Sequence, residues 1–575
     1  MQPVKILLLL SLYLGTYVSA QNLNLLLLHT NDMHSKFEEI TPLATTCSQL
    51  ERNKTCVGGF ARLAHEIRRY RKWGDLNGRK VVFLNAGDIF VGSDWYSVHK
   101  WKICVEFLNI LKPDVITLGN HEFDDGLEVL RQFSKSIQCP IVSANFNTSF
   151  VEPVRKSTIL EVNGRKIGVI GYITPETAYL SDTEELNISD EVEAVRSESK
   201  KLDKEGVKII IGLGHSGFDT DRRLAEQVPL LDLVIGGHSN TFLWNGPKEH
   251  EEDVQGPYPT VITQKSGKKV PVVQAYAYTL YLGRLNVTFD ENGDLVEFEG
   301  QPEYLSADIP QDEDVLKLLE SFRPEVDATN REIVGKSSVF LDGMCRTREC
   351  NFGNLITDAM VYYSAYKNRM DEKTWTIAPI ALYNSGNLRN SINVTYTQGN
   401  ITKGELLAAI PFKNELVTTV LKGSVILEAL EHTVENYANN FITAQFLQVS
   451  GLRVVYNLGK ESGHRVASVK VRCANCSVPI YEDLNVDEDY SVLLTDFILK
   501  GGDGFSMIRD NSKNIIEHGV TMFDLLVWYF SLHNPVYPEV QGRIKFINIP
   551  NSSINLRLSF WVFSLPFLAL IFRSN

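Results

Sequence analysis

Five separate apolar stretches of this chain read as buried strands, and each runs out on a residue type that can bind a metal: LNLLLLHTNDMH, VVFLNAGD, DVITLGNHEFDD, IIIGLGH and LDLVIGGH. A near-continuous apolar run is what a parallel strand covered on both faces requires. In an open α/β sheet the carboxyl ends of such strands collect at one edge. Asp32, His34, Asp88, Asn120, His121, His215 and His238 are therefore expected in a common crevice. Carboxylate, amide and imidazole donors without thiolate suit two hard or borderline divalent ions.

Each motif has its own physical reading. Asp32 and His34 stand two apart after a strand, so an extended backbone would face both side chains the same way. Asp88 follows Ala86-Gly87, where glycine admits a close backbone approach; a lone Gly-Asp would otherwise read as a helix cap. In Asn120-His121-Glu122-Phe123-Asp124 the amide oxygen can ligate, and His121 and Asp124, one helical turn apart, can form a hydrogen-bonded pair. His215 and His238 each follow glycine at a strand end; either alone would as often be structural, but the recurrence marks them as ligands. Asn240 reads as an extra ligand or a supporting contact.

At 575 residues the chain exceeds what one core serves, so two domains are expected. From Leu23 to about Leu305 strands alternate with helical stretches such as GGFARLAHEIRRYRKW and YSVHKWKICVEFLNIL, with Asn-Gly hairpin turns at Asn163-Gly164 and Asn292-Gly293. After Ile309-Pro310 the segment QDEDVLKLLESF carries one apolar stripe, as a solvated interdomain helix would, and is expected to end near Pro324. Mixed strands and helices resume at about Ile333 and end near Asn548. The expected layout is a signal peptide over 1–20, an α/β domain over 21–309, a linker helix over 310–330, a second α/β domain over 331–549 and a tail signal over 550–575.

Both ends read as address labels. Lys5 precedes the run Ile6–Leu10, and Val18-Ser19-Ala20 offers a cleavage site before Gln21. At the other end Asn551, Ser552 and Ser553 precede the apolar run Phe560–Phe572, which is shorter than the roughly 20 residues of a spanning helix and reads as a glycolipid-anchor signal. Eight cysteines suit an oxidising compartment, with Cys47 and Cys56, Cys345 and Cys350, and Cys473 and Cys476 as close pairs; whether Cys104 and Cys139 pair is left open. Glycosylation acceptors at Asn53, Asn147, Asn187, Asn286, Asn393, Asn400 and Asn475 fit the same compartment. A net charge of −13 argues against a nucleic-acid polymer as partner.

His29-Thr30-Asn31-Asp32-x-His34, Ala86-Gly87-Asp88, Gly119-Asn120-His121-Glu122-Phe123-Asp124, Gly214-His215 and Gly236-Gly237-His238-Ser239 resemble the metallophosphoesterase signature of the 5′-nucleotidase family, and the resemblance runs across nearly the whole chain to its anchored animal members. It implies a two-domain fold: a four-layer α/β sandwich followed by a mixed α/β substrate-binding domain. It implies two divalent ions, typically zinc, on Asp32, His34, Asp88, Asn120, His215 and His238, with Asp88 bridging, and His121 as a catalytic group oriented by Asp124. In the second domain it implies that Arg346, Asn384, Arg389 and Asp503 bind phosphate or ribose and that Phe412 and Phe497 sandwich the base. Ser385 and Asn387 stand where the family commonly has glycines.

The expected activity is extracellular hydrolysis of nucleoside 5′-monophosphates, AMP to adenosine in the leading case, by an anchored enzyme that forms a homodimer. Cleavage of ATP and ADP by an apyrase-like relative is the rival within the class, and a catalytically silent nucleotide-binding ectodomain the rival outside it. Stacking on two phenylalanines recognises any base, so base preference is left open. With metals on one domain and nucleoside groups on the other, domain closure about the helix near Asp312–Phe322 is expected.

Overall fold

The computed structural model describes residues 22–549 apart from 43, 45–46, 48–51, 53, 182, 185, 248–251, 368–373, 396, 436 and 438–443. The signal-peptide and anchor segments, and Asn53, lie outside the described residues. The chain divides into two compact units. One comprises the residues up to Val334 together with Tyr396–Pro411, the other Gly335–Thr395 together with the residues from Phe412 on.

Unit 1 is built on two sheets. The first contains β1 (Leu23–Thr30), β2 (Lys80–Asn85), β3 (Val115–Thr117) and β4 (Ile141–Val142), and the second β5 (Ser157–Val162), β6 (Arg165–Ile173), β7 (Ile209–His215), β8 (Leu233–Ile235), β9 (Thr260–Thr263) and β10 (Lys269–Val273). β11 (Tyr281–Phe289), β12 (Leu295–Gly300) and β13 (Glu303–Tyr304) complete the first sheet, whose order is β12-β11-β1-β2-β3-β4 with β13 also on β11. The second runs β5-β6-β7-β8-β10-β9. β1 through β4 are parallel, as are β6, β7, β8 and β10, while β11 and β12 extend the first sheet antiparallel, β5 and β9 are antiparallel edges of the second, and the two Asn-Gly turns close the β5–β6 and β11–β12 hairpins.

The five ligand-bearing strands therefore belong to two sheets, not to one open sheet. β1, β2 and β3 lie in the first, and β7 and β8 in the second. Apolar side chains of both sheets share one buried core, including Leu25, Leu27, Leu84, Val115, Ile170, Ile211 and Leu233. The sheets touch where β6 meets β4: a Cβ on Gly171 would stand 2.1 Å from the Val142 carbonyl oxygen, so only glycine allows the approach. Helices α1 (Phe60–Asn77), α2 (Asp94–His99), α3 (Trp101–Leu111), α4 (Leu127–Ser136), α5 (Thr177–Leu180), α6 (Glu191–Lys204) and α7 (Phe218–Gln227) complete this part of the unit, with α1 against the first sheet and α6 and α7 against the second. The stretch expected as one helix after β2 breaks into α2 and α3 at Lys100, which adopts φ 57°.

The polar segment after Ile309-Pro310 forms α8 (Glu313–Arg331), capped by Asp312. It does not stop near Pro324, which lies inside it. Proline forfeits only its own amide bond, and the helix continues because Val326 extends the buried stripe of Val315 and Leu319. Far from standing free, α8 is tied to unit 1. Arg323 pairs with Glu38 at 2.7 Å, Asn330 donates to Asp94 at 2.7 Å and Arg68 pairs with Asp312 at 2.6 Å.

Unit 2 holds a five-stranded sheet in the order Leu447–Ser450, Ile380–Asn384, Asp489–Thr495, Glu415–Lys422 and Lys513–Thr521, and a four-stranded sheet ending on Ile544–Ile547. Helices Asn351–Lys367 and Gly423–Thr433 pack against these strands. The three expected disulfides are present, and Cys104 and Cys139 are free. No helix among the described residues is long and apolar enough to cross a membrane.

Candidate metal centre

The loops after β1, β2, β3 and β8 and the last residue of β7 bring Asp32, His34, Asp88, Asn120, His121, Asp124, His215 and His238 together. The donor atoms of His34, Asp88 and His121 lie within 4.8 Å of one another, and so do those of Asp88, His215 and His238. Asp88 is common to both triads. Its Oδ2 is 3.0 Å from His215 Nε2, 3.9 Å from His34 Nε2 and 4.0 Å from His121 Nε2. Asp32 Oδ1 lies 3.7 Å from His215 Nε2, and Asn120 Oδ1 lies 3.0 Å from His238 Nδ1.

The backbone that delivers these groups is not extended. Asp32, His34, Asp88, His238 and Asn240 all have positive φ, between 46° and 78°. The convergence of Asp32 and His34 thus owes nothing to strand alternation, because β1 has already ended at Thr30. Instead, Asp32 N donates to Gly87 O at 3.1 Å and His34 N to Asp88 O at 3.0 Å, which locks the two loops in register. Each left-handed non-glycine residue costs on the order of 1 kcal/mol and persists only where neighbours over-determine it.

Glu122 supplies much of that determination. Its fully buried carboxylate accepts from four backbone amides: Asp88 at 2.9 Å, Ile89 at 2.8 Å, Phe90 at 3.1 Å and Gly119 at 2.6 Å. Burial, reinforced by Asp88, nevertheless pushes its carboxyl up to about 7. In the sequence Glu122 stands out only as part of a motif. The available signal was its place three residues after Gly119, the capping position from which a carboxylate reaches back to a backbone amide.

Charge and hydrogen bonding aim the remaining groups. His215 Nδ1 donates to the Ala86 carbonyl at 2.7 Å, leaving Nε2 facing the carboxylates. Among the described residues that buried Nε2 has no well-aligned hydrogen-bond partner, although Asp88 Oδ2 is 3.0 Å away. Burial disfavours its imidazolium, yet Asp88 and Asp32 outweigh burial and raise His215 to about 10. Burial pushes Asp32 up to about 6 against the pull of His215. It also opposes the Asp88 anion, but His215, His121 and His34 prevail and hold that carboxyl well below its usual range. A centre whose carboxylates favour positive charge, and whose buried His215 Nε2 is aimed inward at them, fits bound cations.

His121 stands differently. Its Nδ1 donates to Asp124 Oδ2 at 2.7 Å, and Ser181 Oγ donates to Asp124 Oδ1 at 2.8 Å and to the Asn120 carbonyl at 2.7 Å. The ring is therefore oriented from behind, with Nε2 turned toward Asp88. Ser181 was not anticipated, since nothing nearby in sequence marks it. Asn240 contacts Tyr278 OH at 3.5 Å, whereas its buried Oδ1 has no hydrogen-bond partner among the described residues.

In unit 2, Asn384 Nδ2 donates to Asp503 Oδ2 at 2.5 Å, and Asn387 Nδ2 donates to Asn384 Oδ1 at 2.7 Å. Asn387, one of the departures from the expected glycines, thus aims Asn384. Burial pushes the Asp503 carboxyl up, with Asn384, Arg346, His432 and Arg389 opposing it, so both arginines lie in its field. Phe497, half-buried, covers Gly502, where a Cβ would come within 2.4 Å of its ring. Phe412, also half-buried, precedes the strand Glu415–Lys422.

Residues 25–242 match the calcineurin-like phosphoesterase family, and residues 333–510 match the 5′-nucleotidase C-terminal domain. The chain is 38% identical over 575 residues to a 5′-nucleotidase of Mus musculus, covering 97% of each. It is 39% identical over 532 residues to an apyrase of Tabanus yao, covering 91% of this chain and 93% of that one. The crystal structure of a 5′-nucleotidase precursor from Thermus thermophilus superposes with a TM-score of 0.79 at 32% identity, covering 92% of this chain and all of that one.

Gly119→Ala tests the packing of the centre, because the added Cβ would lie 2.1 Å from Asp88 Oδ1. The expected result is a folded protein whose bound metal falls at least about tenfold in affinity, read by elemental analysis after dialysis. Unchanged metal content would refute this account of the loop contact.

Proposed function

Because the chain belongs to the 5′-nucleotidase family, we propose that this hydrolase removes phosphate from nucleoside 5′-monophosphates, AMP to adenosine in the leading case, at a centre holding two divalent ions. The observation that carries the reading is the pair of donor triads sharing Asp88, with the His121–Asp124 pair beside them. Asp32, His34, Asp88, Asn120, His215 and His238 are the proposed ligands, Asp88 bridges, and zinc is the metal whose ligand preferences suit this set best. Such ions, when bound, activate a water and neutralise phosphoryl oxygens during in-line displacement.

The chain's own groups complete the chemistry. His121, held by Asp124, presents Nε2 to the reacting phosphate and gives a proton to the departing 5′-alkoxide or stabilises its charge. On unit 2, Arg346, Asn384, Arg389 and Asp503 take the phosphate and ribose, and Phe412 and Phe497 take the base by stacking. We assign the phosphoesterase module to 21–309 and the nucleoside-binding module to 331–549, with 310–330 joining them. The disulfides and the sequons support an extracellular site of action, and the tail supports a glycolipid anchor after a signal peptide over 1–20. Resemblance to the anchored animal members supports a homodimer.

One relative named apyrase supports a second reading in which di- and triphosphates are cleaved at the same centre. Phosphate release from AMP, ADP and ATP, measured side by side, separates the two. AMP should be turned over at least about tenfold faster per active site, and preference for ATP would reverse the assignment.

The roles within the site separate by variant. Asp88→Ala should lose metal and turnover together, whereas His121→Ala should keep its metal and lose roughly 10²–10⁴ in kcat. Metal loss in the His121 variant would move it into the ligand set. For the anchor, a phosphatidylinositol-specific phospholipase should release the full-length protein from cells as an active enzyme. Retention on the membrane would identify the tail as a conventional anchor instead.

A further inference from the structure

Gln274 follows β10 directly, lies fully buried and belongs to none of the motifs that mark the centre. All four hydrogen-bonding positions of its amide are used. Nε2 donates to Asp221 Oδ2 at 2.7 Å and to the Gly237 carbonyl at 3.1 Å, and Oε1 accepts from Thr241 N at 3.0 Å and Ser239 Oγ at 3.2 Å. The partners Gly237, Ser239 and Thr241 bracket His238, whose φ is 78°. Ser239 Oγ also accepts from Phe218 N at 3.0 Å, and Gly217 N donates to the Gly237 carbonyl at 3.1 Å, so the loop is pinned to the start of α7 as well.

Asp221, on α7, aims the amide. Its Oδ1 accepts from Tyr172 OH at 2.7 Å, which leaves Oδ2 for Gln274. Tyr172 lies on β6 and, like Asp221 and Gln274, has no exposed surface. The chain Tyr172–Asp221–Gln274 therefore carries the order of the second sheet and α7 into the loop that bears His238. The His34 loop is held from the first sheet, by Glu122 on the Asp88 and Gly119 amides and by the backbone bonds of Asp32 and His34.

We propose that Gln274, aimed by Asp221 and Tyr172, is a positioning residue for His238 and through it governs one of the two metal positions while leaving the His34–Asp88 position intact. This rests on the two-ion reading above. The reason is energetic as well as geometric. Without Gln274 the buried Thr241 amide would lose its acceptor, a cost of roughly 1–3 kcal/mol, the Gly237 carbonyl would keep only Gly217 N, and the left-handed histidine loop would relax away from the ligand geometry.

The test uses the full-length protein and counts bound zinc per chain after dialysis against a weak chelator. Gln274→Met keeps side-chain length and volume and removes all four bonds. Its metal content should fall from about two ions to about one. Adding His34→Ala to that variant should remove the remaining ion, whereas adding His238→Ala should remove nothing further, since it acts on the position already lost. Gln274→Met that keeps both ions, or loses both, overturns the inference; loss of both would make Gln274 a general support of the fold. His238→Ala as a single variant is the separate control. If it too keeps two ions, His238 leaves the ligand set, and if the unaltered protein itself binds other than two ions, the two-ion reading fails, whatever Gln274 does.

Discussion

Asp88 stands where the loops after β2 and β3 must meet, and its carboxylate is the one group common to both donor triads. Everything around it serves to hold that anion in a buried place. Its backbone amide is taken by Glu122 and its Oδ1 accepts from His121 N at 3.0 Å, which leaves Oδ2 to face three imidazoles. A buried carboxylate without such partners would protonate. Here the surrounding histidines keep it ionised, and the same arrangement that stabilises positive charge on His215 would stabilise a divalent cation in its place.

Carboxylates in this unit divide between two tasks. Asp32 and Asp88 belong to the donor cluster, while Glu122 and Asp221 spend their acceptor capacity on backbone and side-chain donors. The first pair can offer oxygens to a ligand because the second pair fixes the loops. Strain follows the same division. Left-handed residues recur in the donor loops, at Asp32, His34, Asp88, His238 and Asn240, and backbone bonds between those loops together with the Glu122 carboxylate hold them.

In unit 2 a comparable relay runs through amides. Asn387 aims Asn384, Asn384 aims Asp503, and His432 donates to the Asp503 carbonyl at 2.8 Å, which steadies a residue at φ 52°. Ser385-Gly-Asn387 forms a short 3-10 turn, so the loop keeps a tight shape with fewer glycines than its relatives were expected to use.

The order of apolar runs and the donor residue that closes each one were legible because a parallel strand buried on both faces needs unbroken apolar sequence, and a ligand must follow it at the loop. The His121–Asp124 pair was legible for a similar reason, since a spacing of three closes within one helical turn. What no local pattern could supply was the partition of the strands between two sheets, the left-handed turns at Asp32 and His34, the passage of α8 through Pro324 and the return of Tyr396–Pro411 to unit 1. Nor could it reveal that Glu122, Ser181, Asp221 and Gln274 support the centre. Those outcomes depend on contacts between residues far apart in the chain, where packing and buried hydrogen bonds outweigh the preferences of any single segment. Sequence alone determined which donor residues the chain carries and which strand each one follows; tertiary structure decided which of them share a carboxylate, because only the meeting of two sheets puts His34 and His215 on either side of Asp88.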